Sequence, residues 1–158
     1  MIYIDPSDIF FSVLPLHHTY ECTCGFLCPI YLGASIAFCE GLRHIQKNLQ
    51  ESKATMMLGV PLIFEAMYKR IWEQAKKNGL DKKLKIGIMI SNFLKKFNID
   101  ITRKLFAQIH NNFGGNIRLF ISGAAAINPA VAKGFRDFGI SFYQGYGLTE
   151  CSPIVAVN

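Results

Sequence analysis

The sequence predicts an α/β fold with a mostly parallel sheet flanked by helices, and three observations predict it. Short apolar runs rich in β-branched and aromatic residues alternate with longer segments of helical periodicity. Glycine or proline stands at most of the junctions between them. Of the 158 residues, 51% are hydrophobic, which is enough for a buried core. This order is typical of a parallel sheet covered by helices, and no repeat or linker interrupts it, so residues 1–158 are predicted to form a single domain.

The predicted strands are short and apolar, as expected of strands that are buried on both faces. They are residues 8–14, 35–39, 55–60, 116–122 and 140–143. Residues 153–157 form an apolar tail that could begin a sixth strand.

Helical periodicity fills most of the sequence between these strands. The predicted helices are residues 20–32, 43–52, 61–77, 82–96, 102–113 and 129–138. Thr19 is predicted to cap the first helix, and Gly33 to end it. Residues 61–114 are expected to form a helical excursion on the edge of the sheet. Because the excursion contains no obvious chemistry, we interpret it as scaffold.

Five cysteines are an odd number for a chain with an ample core, and this favours reduced thiols in the cytoplasm. Cys24 and Cys28 would share one face of a helix, but Cys22 would point elsewhere. No second Cys/His pair lies at zinc spacing, so small buried hydrophobes are favoured over a metal site. No apolar run reaches the roughly 18 residues of a membrane-spanning helix. We therefore expect a cytoplasmic protein.

The net charge of +6 is unevenly distributed along the sequence. Eleven of the 17 lysines and arginines fall between Lys69 and Lys104. They form either the solvated face of amphipathic helices or a surface attracted to anionic membranes, where each basic group contributes about 1 kcal/mol. No nucleic-acid-binding motif accompanies the charge. We expect no nucleic acid partner, and we treat peripheral membrane contact through the basic helices as the open functional alternative.

The stretch YQGYGLTE at residues 143–150 follows the fifth predicted strand and combines what a nucleotide with its magnesium ion needs. Its two glycines allow close backbone approach, and Tyr146 between them offers a flat apolar face. Thr149 can donate a hydroxyl hydrogen bond to a phosphate, and Glu150 is a hard oxygen ligand that magnesium favours. An ordinary strand and turn with a solvated Thr-Glu pair would show the same local sequence.

Two further segments are expected at the same edge of the sheet, because such sheets bind ligands outside the carboxyl ends of their strands. His17 and His18 follow the first predicted strand, and Gly123 and Ala124 follow the fourth. Each has a structural alternative, since His18 can cap the following helix and Gly123 can serve a turn. Together with residues 143–150, they predict one ligand site.

Three segments in this order resemble the adenylate-forming superfamily of acyl-CoA synthetases, luciferases and peptide-synthetase adenylation domains. They are LPLHH at residues 14–18, SGAA at 122–125 and QGYGLTE at 144–150. The stretch GVPLIFEAMYKRI at 59–71 resembles the long-chain fatty acyl-CoA synthetase branch in particular. The resemblance covers essentially the whole chain. It implies that the sheet is part of the large N-terminal domain of such an enzyme.

The resemblance also implies a role for each segment. The first lines the acyl tunnel near the reactive carboxylate, and it places His18 there, with His17 beside it. The second is the small-residue turn that lies against adenine. The residues implied in nucleotide binding are Gly123, Ala124, Ala125, Gln144, Gly145, Tyr146, Gly147 and Thr149. Glu150 is the implied magnesium ligand, and Thr149, Glu150 and His18 are the residues implied in catalysis.

The family reaction has two halves. ATP with Mg²⁺ activates a carboxylate as an acyl adenylate and releases pyrophosphate, and the thiol of coenzyme A then forms the thioester. Catalysis is mostly positioning and neutralisation of phosphate charge. The resemblance therefore implies an ATP-dependent long-chain fatty acid–CoA ligase, with fatty acid, ATP and CoA as its small-molecule partners.

Three parts of the family's machinery have no counterpart among these 158 residues: the phosphate loop with its lysine, the ribose-binding aspartate and the C-terminal domain with its catalytic lysine. We therefore expect this chain to be a central fragment of a longer enzyme, without adenylation activity by itself. Two alternatives stay open. One is a non-catalytic, membrane-associated binding or scaffold domain. The other is an adenylation domain with a different acceptor.

Overall fold

The computed structural model describes residues 2–158, which contain a six-stranded sheet. The strands are β1 (Ile9–Ser12), β2 (Ser35–Phe38), β3 (Met56–Gly59), β4 (Leu119–Ser122), β5 (Ser141–Tyr146) and β6 (Ala156–Val157). Their spatial order is β2-β1-β3-β4-β5-β6. The first five strands are parallel, and β6 is antiparallel to β5. The prediction of a mostly parallel sheet is confirmed.

Helices connect successive parallel strands. They are α1 (Cys28–Tyr31), α2 (Ile45–Ser52), α3 (Pro61–Lys77), α4 (Asp81–Lys95), α5 (Thr102–Leu105), α6 (Ala107–Asn112) and α7 (Pro129–Asp137). A π-helix (Glu21–Leu27) leads into α1, and short 3₁₀ turns lie at Leu42–His44 and Thr149–Cys151. Within residues 2–158, no helix combines the length and the apolar character needed to cross a membrane.

Two predicted boundaries differ from the structure for local reasons. Thr19 does not cap the first helix: it already lies within the helical turn, because the His18 carbonyl accepts the Cys22 amide at 2.9 Å. Gly33 ends this helical segment as predicted, with a φ of +75° that suits glycine. The predicted helix at 102–113 is two short helices, since the backbone leaves helical geometry at the buried Phe106.

The main core lies between one face of the sheet and the helices that follow β3 and β4. Phe64 of α3 is fully buried there, with its ring 5.1 Å from that of Phe120 and 5.2 Å from that of Phe142. Residues 61–114 form the crossover between the adjacent strands β3 and β4. The expectation that this excursion packs on the edge of the sheet is therefore wrong, because Phe64 anchors it on the face of the central strands.

A smaller core covers the opposite face of the sheet. Phe10, Met56 and Leu119 are buried from three neighbouring strands, and Tyr20 and Cys24 pack against them from the first helical segment. Burial raises the pKa of the Cys24 thiol to about 11, so it stays protonated at neutral pH as a small apolar group. Both faces of the sheet are therefore covered, and this explains why the strands are apolar without alternation.

At the amino edge of the sheet, one carboxylate joins three strands. Asp8 precedes β1, and its side chain is only 5% exposed. It accepts hydrogen bonds from the Thr55 hydroxyl before β3 (2.7 Å) and from the Arg118 guanidinium before β4. Burial alone would raise the pKa of Asp8, but the bonds from Arg118, the Asp5 amide and Thr55 outweigh burial and lower it below 3.8. The charged form of Asp8 therefore stabilises the fold.

Replacing Arg118 with methionine should lower the free energy of unfolding by about 2 kcal/mol, because Asp8 loses its only cationic partner among residues 2–158. Removing one partner of a fully buried ion pair costs about 3–5 kcal/mol. The expected loss is smaller here because 37% of the Arg118 side chain is exposed. Because the pKa of Asp8 is lower in the folded chain than in the unfolded chain, ionised Asp8 adds to the free energy of unfolding above pH 3.8. This stabilisation is lost as the pH falls through the folded pKa. The difference in the free energy of unfolding between wild type and Arg118→Met should therefore become smaller in acid. Urea unfolding at several pH values would measure it.

The matched control is Arg136→Met on α7, where the arginine is exposed. It should change stability by less than about 0.5 kcal/mol. Equal unfolding midpoints for the two variants would show that Asp8 does not depend on Arg118.

Candidate functional site

A cavity of about 310 Å³ opens at the carboxyl ends of β1, β4 and β5. Its walls come from the loop after β1, the loop after β4 and the turn between β5 and β6. The residues predicted from sequence that line it are His18, Gly123, Ala124, Gly145, Tyr146, Gly147 and Thr149. The three sequence segments therefore meet around one space, as the parallel topology requires.

Four other residues predicted for the site lie beside this space. The His17 ring packs on that of His18, with centroids 4.6 Å apart. Gln144 directs its side-chain oxygen to the Ile127 amide at 3.4 Å. Ala125 is exposed in the loop after β4, and Glu150 is exposed in the 3₁₀ turn after β5. Their assigned roles stay predictions.

Tyr146 is placed by a strand and not by a turn. The strand β5 extends three residues beyond the predicted strand end at 143, because Gly145 and Tyr146 pair with β6. The Tyr146 carbonyl also accepts the Val155 amide at 2.9 Å. The Tyr146 backbone is thus held by β6 and the residues that lead into it, yet 64% of the residue is exposed. A fixed backbone presenting an open aromatic ring is a platform for stacking.

The two glycines of the motif serve different purposes. A Cβ on Gly147 would overlap the Pro153 carbonyl, so this glycine is required for the turn to fold back on itself. A Cβ on Gly145 would lie 3.8 Å from the Ile154 side chain, which is an ordinary contact. The protein's own packing therefore does not require glycine at position 145. Its missing side chain leaves room in the cavity.

Gly123 is explained in part by Tyr20, which the sequence reasoning missed. A Cβ on Gly123 would lie 2.8 Å from the Tyr20 ring, and the Tyr20 hydroxyl donates to the Ile121 carbonyl at 3.2 Å. Burial raises the pKa of Tyr20 above its ordinary value, so the hydroxyl stays a donor. Tyr20 thus forms the floor of the cavity. Its position directly after the LPLHHT segment was the available signal.

Ala124 has a φ of +70°, in the left-handed region that alanine rarely adopts. Such a conformation costs about 1 kcal/mol or more, and strained residues of this kind cluster at active sites and ligand sites. The residue sits in the wall of the cavity, between β4 and the exposed loop that leads to α7. This backbone outlier supports a binding role for the segment after β4.

A buried carboxyl group directly follows Tyr20 in the chain. Glu21 is fully buried at the start of the π-helix and accepts the Ser12 hydroxyl at 2.6 Å. Its second oxygen has no hydrogen-bond partner among residues 2–158. Burial raises the pKa of Glu21 above 4.5, opposed by the bond from Ser12. The sequence reasoning missed this residue, because an acidic side chain on a helix usually faces solvent.

The site brings together a hydroxyl, an exposed carboxylate, an aromatic face and small residues, but no ready-made metal cage. Among residues 2–158, no group of three or more His, Cys, Asp or Glu side chains is placed to hold a metal ion. A cation here would take one oxygen from Glu150 and the rest from its ligand and water. Mg²⁺ commonly binds phosphates in this way.

Comparisons with known proteins agree with this geometry. A family model described as AMP-binding enzyme matches residues 2–158. The chain is 34% identical over 159 residues to long-chain-fatty-acid–CoA ligase 1 of Cavia porcellus, covering 94% of this chain and 22% of that protein. It is 31% identical over 160 residues to long chain acyl-CoA synthetase 2 of Arabidopsis thaliana, covering 92% of this chain and 24% of that protein. The chain thus spans about a quarter or less of these curated relatives.

Solved structures show the same fold. The N-terminal domain of FACL13 from Mycobacterium tuberculosis superposes with a TM-score of 0.64 at 18% identity, over 99% of this chain and 31% of that one. The anthranilate CoA ligase AuaEII, in complex with anthranoyl-AMP, gives a TM-score of 0.66 at 19% identity, over 98% of this chain and 24% of that one.

The raised pKa of Glu21 predicts a pH dependence of stability. The folded chain holds this proton more tightly than the unfolded chain, so the contribution is full below pH 4.5 and is lost as the pH rises through the folded pKa. Glu21→Gln keeps the acceptor for Ser12 but cannot ionise. Wild type should therefore lose stability relative to this variant as the pH rises, as urea unfolding from about pH 4 to about pH 8 would show.

Glu73→Gln is the matched control, because the Glu73 side chain is 62% exposed on α3. It should not change the shape of the pH profile. If the free energy of unfolding had the same pH dependence in wild type and in Glu21→Gln, the pKa of Glu21 would not differ between the folded and unfolded chains. That result would contradict the prediction.

Proposed function

This chain belongs to the AMP-binding enzyme family, and we propose that it supplies the adenylate-binding part of an ATP-dependent long-chain fatty acid–CoA ligase. One observation carries the proposal: the segments after β1, β4 and β5 enclose a single cavity of about 310 Å³. The printed names of the relatives, long-chain-fatty-acid–CoA ligase and long chain acyl-CoA synthetase, supply the substrate class and the acceptor.

Adenine is proposed to bind between Tyr146 and the small residues after β4. The Tyr146 ring is exposed at the cavity wall, where stacking on a purine removes apolar surface from water. Gly123 and Ala124 line the cavity without large side chains. Space at Gly145 lets the ring approach the backbone of β5 closely.

The phosphate is proposed to lie at the 3₁₀ turn after β5. Thr149 lines the cavity, and its hydroxyl makes no hydrogen bond to another described residue, so it is free to donate to the α-phosphate. Glu150 is adjacent and exposed, and its carboxylate would hold Mg²⁺ together with phosphate and water oxygens. An ion held by Glu150 would supply positive charge beside the phosphate, and Thr149 and Glu150 would orient the phosphate for the reaction.

The fatty acid is proposed to approach from the His18 side. His18 lines the cavity from the loop after β1, whereas the residues assigned to the nucleotide lie after β4 and at the end of β5. A second cavity of about 290 Å³ lies between α2, α3 and α6 and is walled by apolar side chains such as Leu49, Met67 and Phe113. Val60 lines the first cavity, whereas Leu62 and Ile63 line the second, so the two flank the start of α3. This arrangement suits a long apolar chain with its carboxylate at His18.

Coenzyme A is the proposed acceptor, and the proposed compartment is the cytoplasm. All five cysteines are free thiols in the structure, which suits a reducing compartment. The groups that bind ribose, pyrophosphate and CoA are not assigned to residues 2–158. In this proposal the activity belongs to the complete ligase.

The test is fatty-acid-dependent ATP–pyrophosphate exchange in a full-length enzyme that carries this segment. Glu150→Ala should lower exchange by about 10²-fold or more, because metal and phosphate lose their carboxylate. Tyr146→Ala should raise the KM for ATP by up to about tenfold, the size of an aromatic contact. Glu73→Ala and Tyr31→Ala are matched controls on exposed positions and should change neither value.

Each alternative has its own outcome in this assay. Exchange at the wild-type rate in Glu150→Ala would contradict the metal role. Exchange without thioester formation on adding CoA would indicate an adenylation domain with a different acceptor. No exchange with any carboxylate would leave the fold without its chemistry, and a non-catalytic scaffold would then be the better proposal.

A further inference from the structure

The helix α4 has apolar side chains on two opposite faces. On its inner face, Gly87 and Ser91 are buried, and Leu84 and Ile88 pack against the main core. On its outer face lies a second apolar set that we call the outer stripe: Ile86, Met89, Ile90, Phe93 and Phe97. These residues are three, four, seven and eleven positions from Ile86, so they follow one side of the helix and its continuation.

The outer stripe is exposed along its whole length. Its five side chains are between 47% and 66% exposed, and the Phe93 and Phe97 rings pack on each other at 5.3 Å. A helix on a globular surface normally presents polar residues here, and single exposed apolar residues need no explanation. A contiguous stripe of five exposed apolar residues needs an explanation, because surfaces of this kind mark contacts with proteins or membranes.

The charged residues of α4 and its C-cap that lie on the side of the outer stripe are lysines. Lys82, Lys83, Lys85 and Lys96 are exposed, and by helical position Lys82 lies in line with the stripe while the other three flank it. None of them is in an ion pair among residues 2–158. The remaining lysine, Lys95, lies on the opposite side and donates to the Arg136 carbonyl at 3.2 Å.

We propose that the outer stripe docks on the surface of an anionic lipid bilayer, with α4 lying in the plane of the interface. The apolar side chains enter the boundary between headgroups and acyl chains, and the flanking lysines reach the lipid phosphates. This binding site is separate from the nucleotide cavity at the carboxyl edge of the sheet, which is lined by none of the α4 residues.

Charge decides between lipid and the other occupants of such a face. A second copy of the chain, paired stripe to stripe, would bring two lysine-rich rims together, and like charges across an interface repel. A protein partner, or another part of the enzyme, would match this surface best with carboxylates opposite these lysines. On α4 itself the only acidic residue is Asp81, at its first turn. An anionic bilayer matches both the apolar stripe and its cationic rim.

The test is co-sedimentation of the full-length protein with vesicles of phosphatidylcholine, with or without phosphatidylglycerol. We expect binding that needs phosphatidylglycerol and weakens as salt is raised, because screening shortens the reach of the lysine charges. Met89→Ser/Phe93→Ser should lower the apparent affinity by about tenfold or more, since two apolar side chains no longer leave water. Lys82→Glu/Lys85→Glu should lower it to a similar extent.

The matched control is Leu27→Ser/Tyr31→Ser, which removes two exposed apolar residues from the first helical segment. It should bind vesicles like the wild type. The emission added by a Phe93→Trp reporter, taken as the difference from the wild-type protein, should shift to the blue on adding phosphatidylglycerol vesicles. Exchange measured with a soluble, shorter acid should be unchanged in the stripe variants, so failure of docking and failure of the proposed ligase function are distinguishable.

Three results would overturn the proposal. One is equal vesicle binding by wild type and Met89→Ser/Phe93→Ser. Another is a wild-type oligomer that becomes a monomer in this variant without any vesicle binding, which would make the stripe an interface between copies. The third is a Trp reporter already shielded from solvent quenchers without vesicles, which would show that another part of the enzyme covers the stripe.

Discussion

The arrangement of the site depends on a buried carboxylate at the opposite edge of the sheet. Asp8 accepts hydrogen bonds from groups that directly precede β3 and β4, so it aligns the amino ends of β1, β3 and β4. Each of these strands has only four residues, so their carboxyl ends are fixed as well. A slip of one residue would turn every side chain to the wrong face. The register at one edge therefore sets the geometry of the cavity at the other.

The alignment of the strands places the residues that line the cavity, because these residues lie close to the strand ends. Gly123 follows β4 directly and packs on Tyr20, while Tyr146 is the last residue of β5. Support from β6 and from the tight turn at Gly147 holds the second wall in place. The groups assigned to phosphate and metal, Thr149 and Glu150, follow on a short exposed turn. The site thus combines a rigid apolar half with an open polar half, which suits a base on one side and a hydrated ion on the other.

Much of the fold was predictable, because apolar runs, glycines and prolines report local structure. The five parallel strands and the end of the first helical segment at Gly33 follow from such signals. Long-range packing does not leave a local signal. The burial of Phe64 on the sheet face overturned the edge position of the excursion. Tyr20 was missed because its partner Ile121 lies on a distant strand, and Glu21 was missed because an acidic side chain on a helix usually faces solvent. The pairing that extends β5 depends on residues beyond the turn.

The most direct test of the account is amide hydrogen exchange of the full-length enzyme with and without a non-hydrolysable acyl-adenylate analogue. Exchange should slow at residues 122–125 and 145–150, the two segments whose backbones line the proposed nucleotide site. The outer stripe on α4 should not respond. Protection elsewhere, with no change at these two segments, would contradict the claim that the cavity at the carboxyl edge of the sheet binds the adenylate.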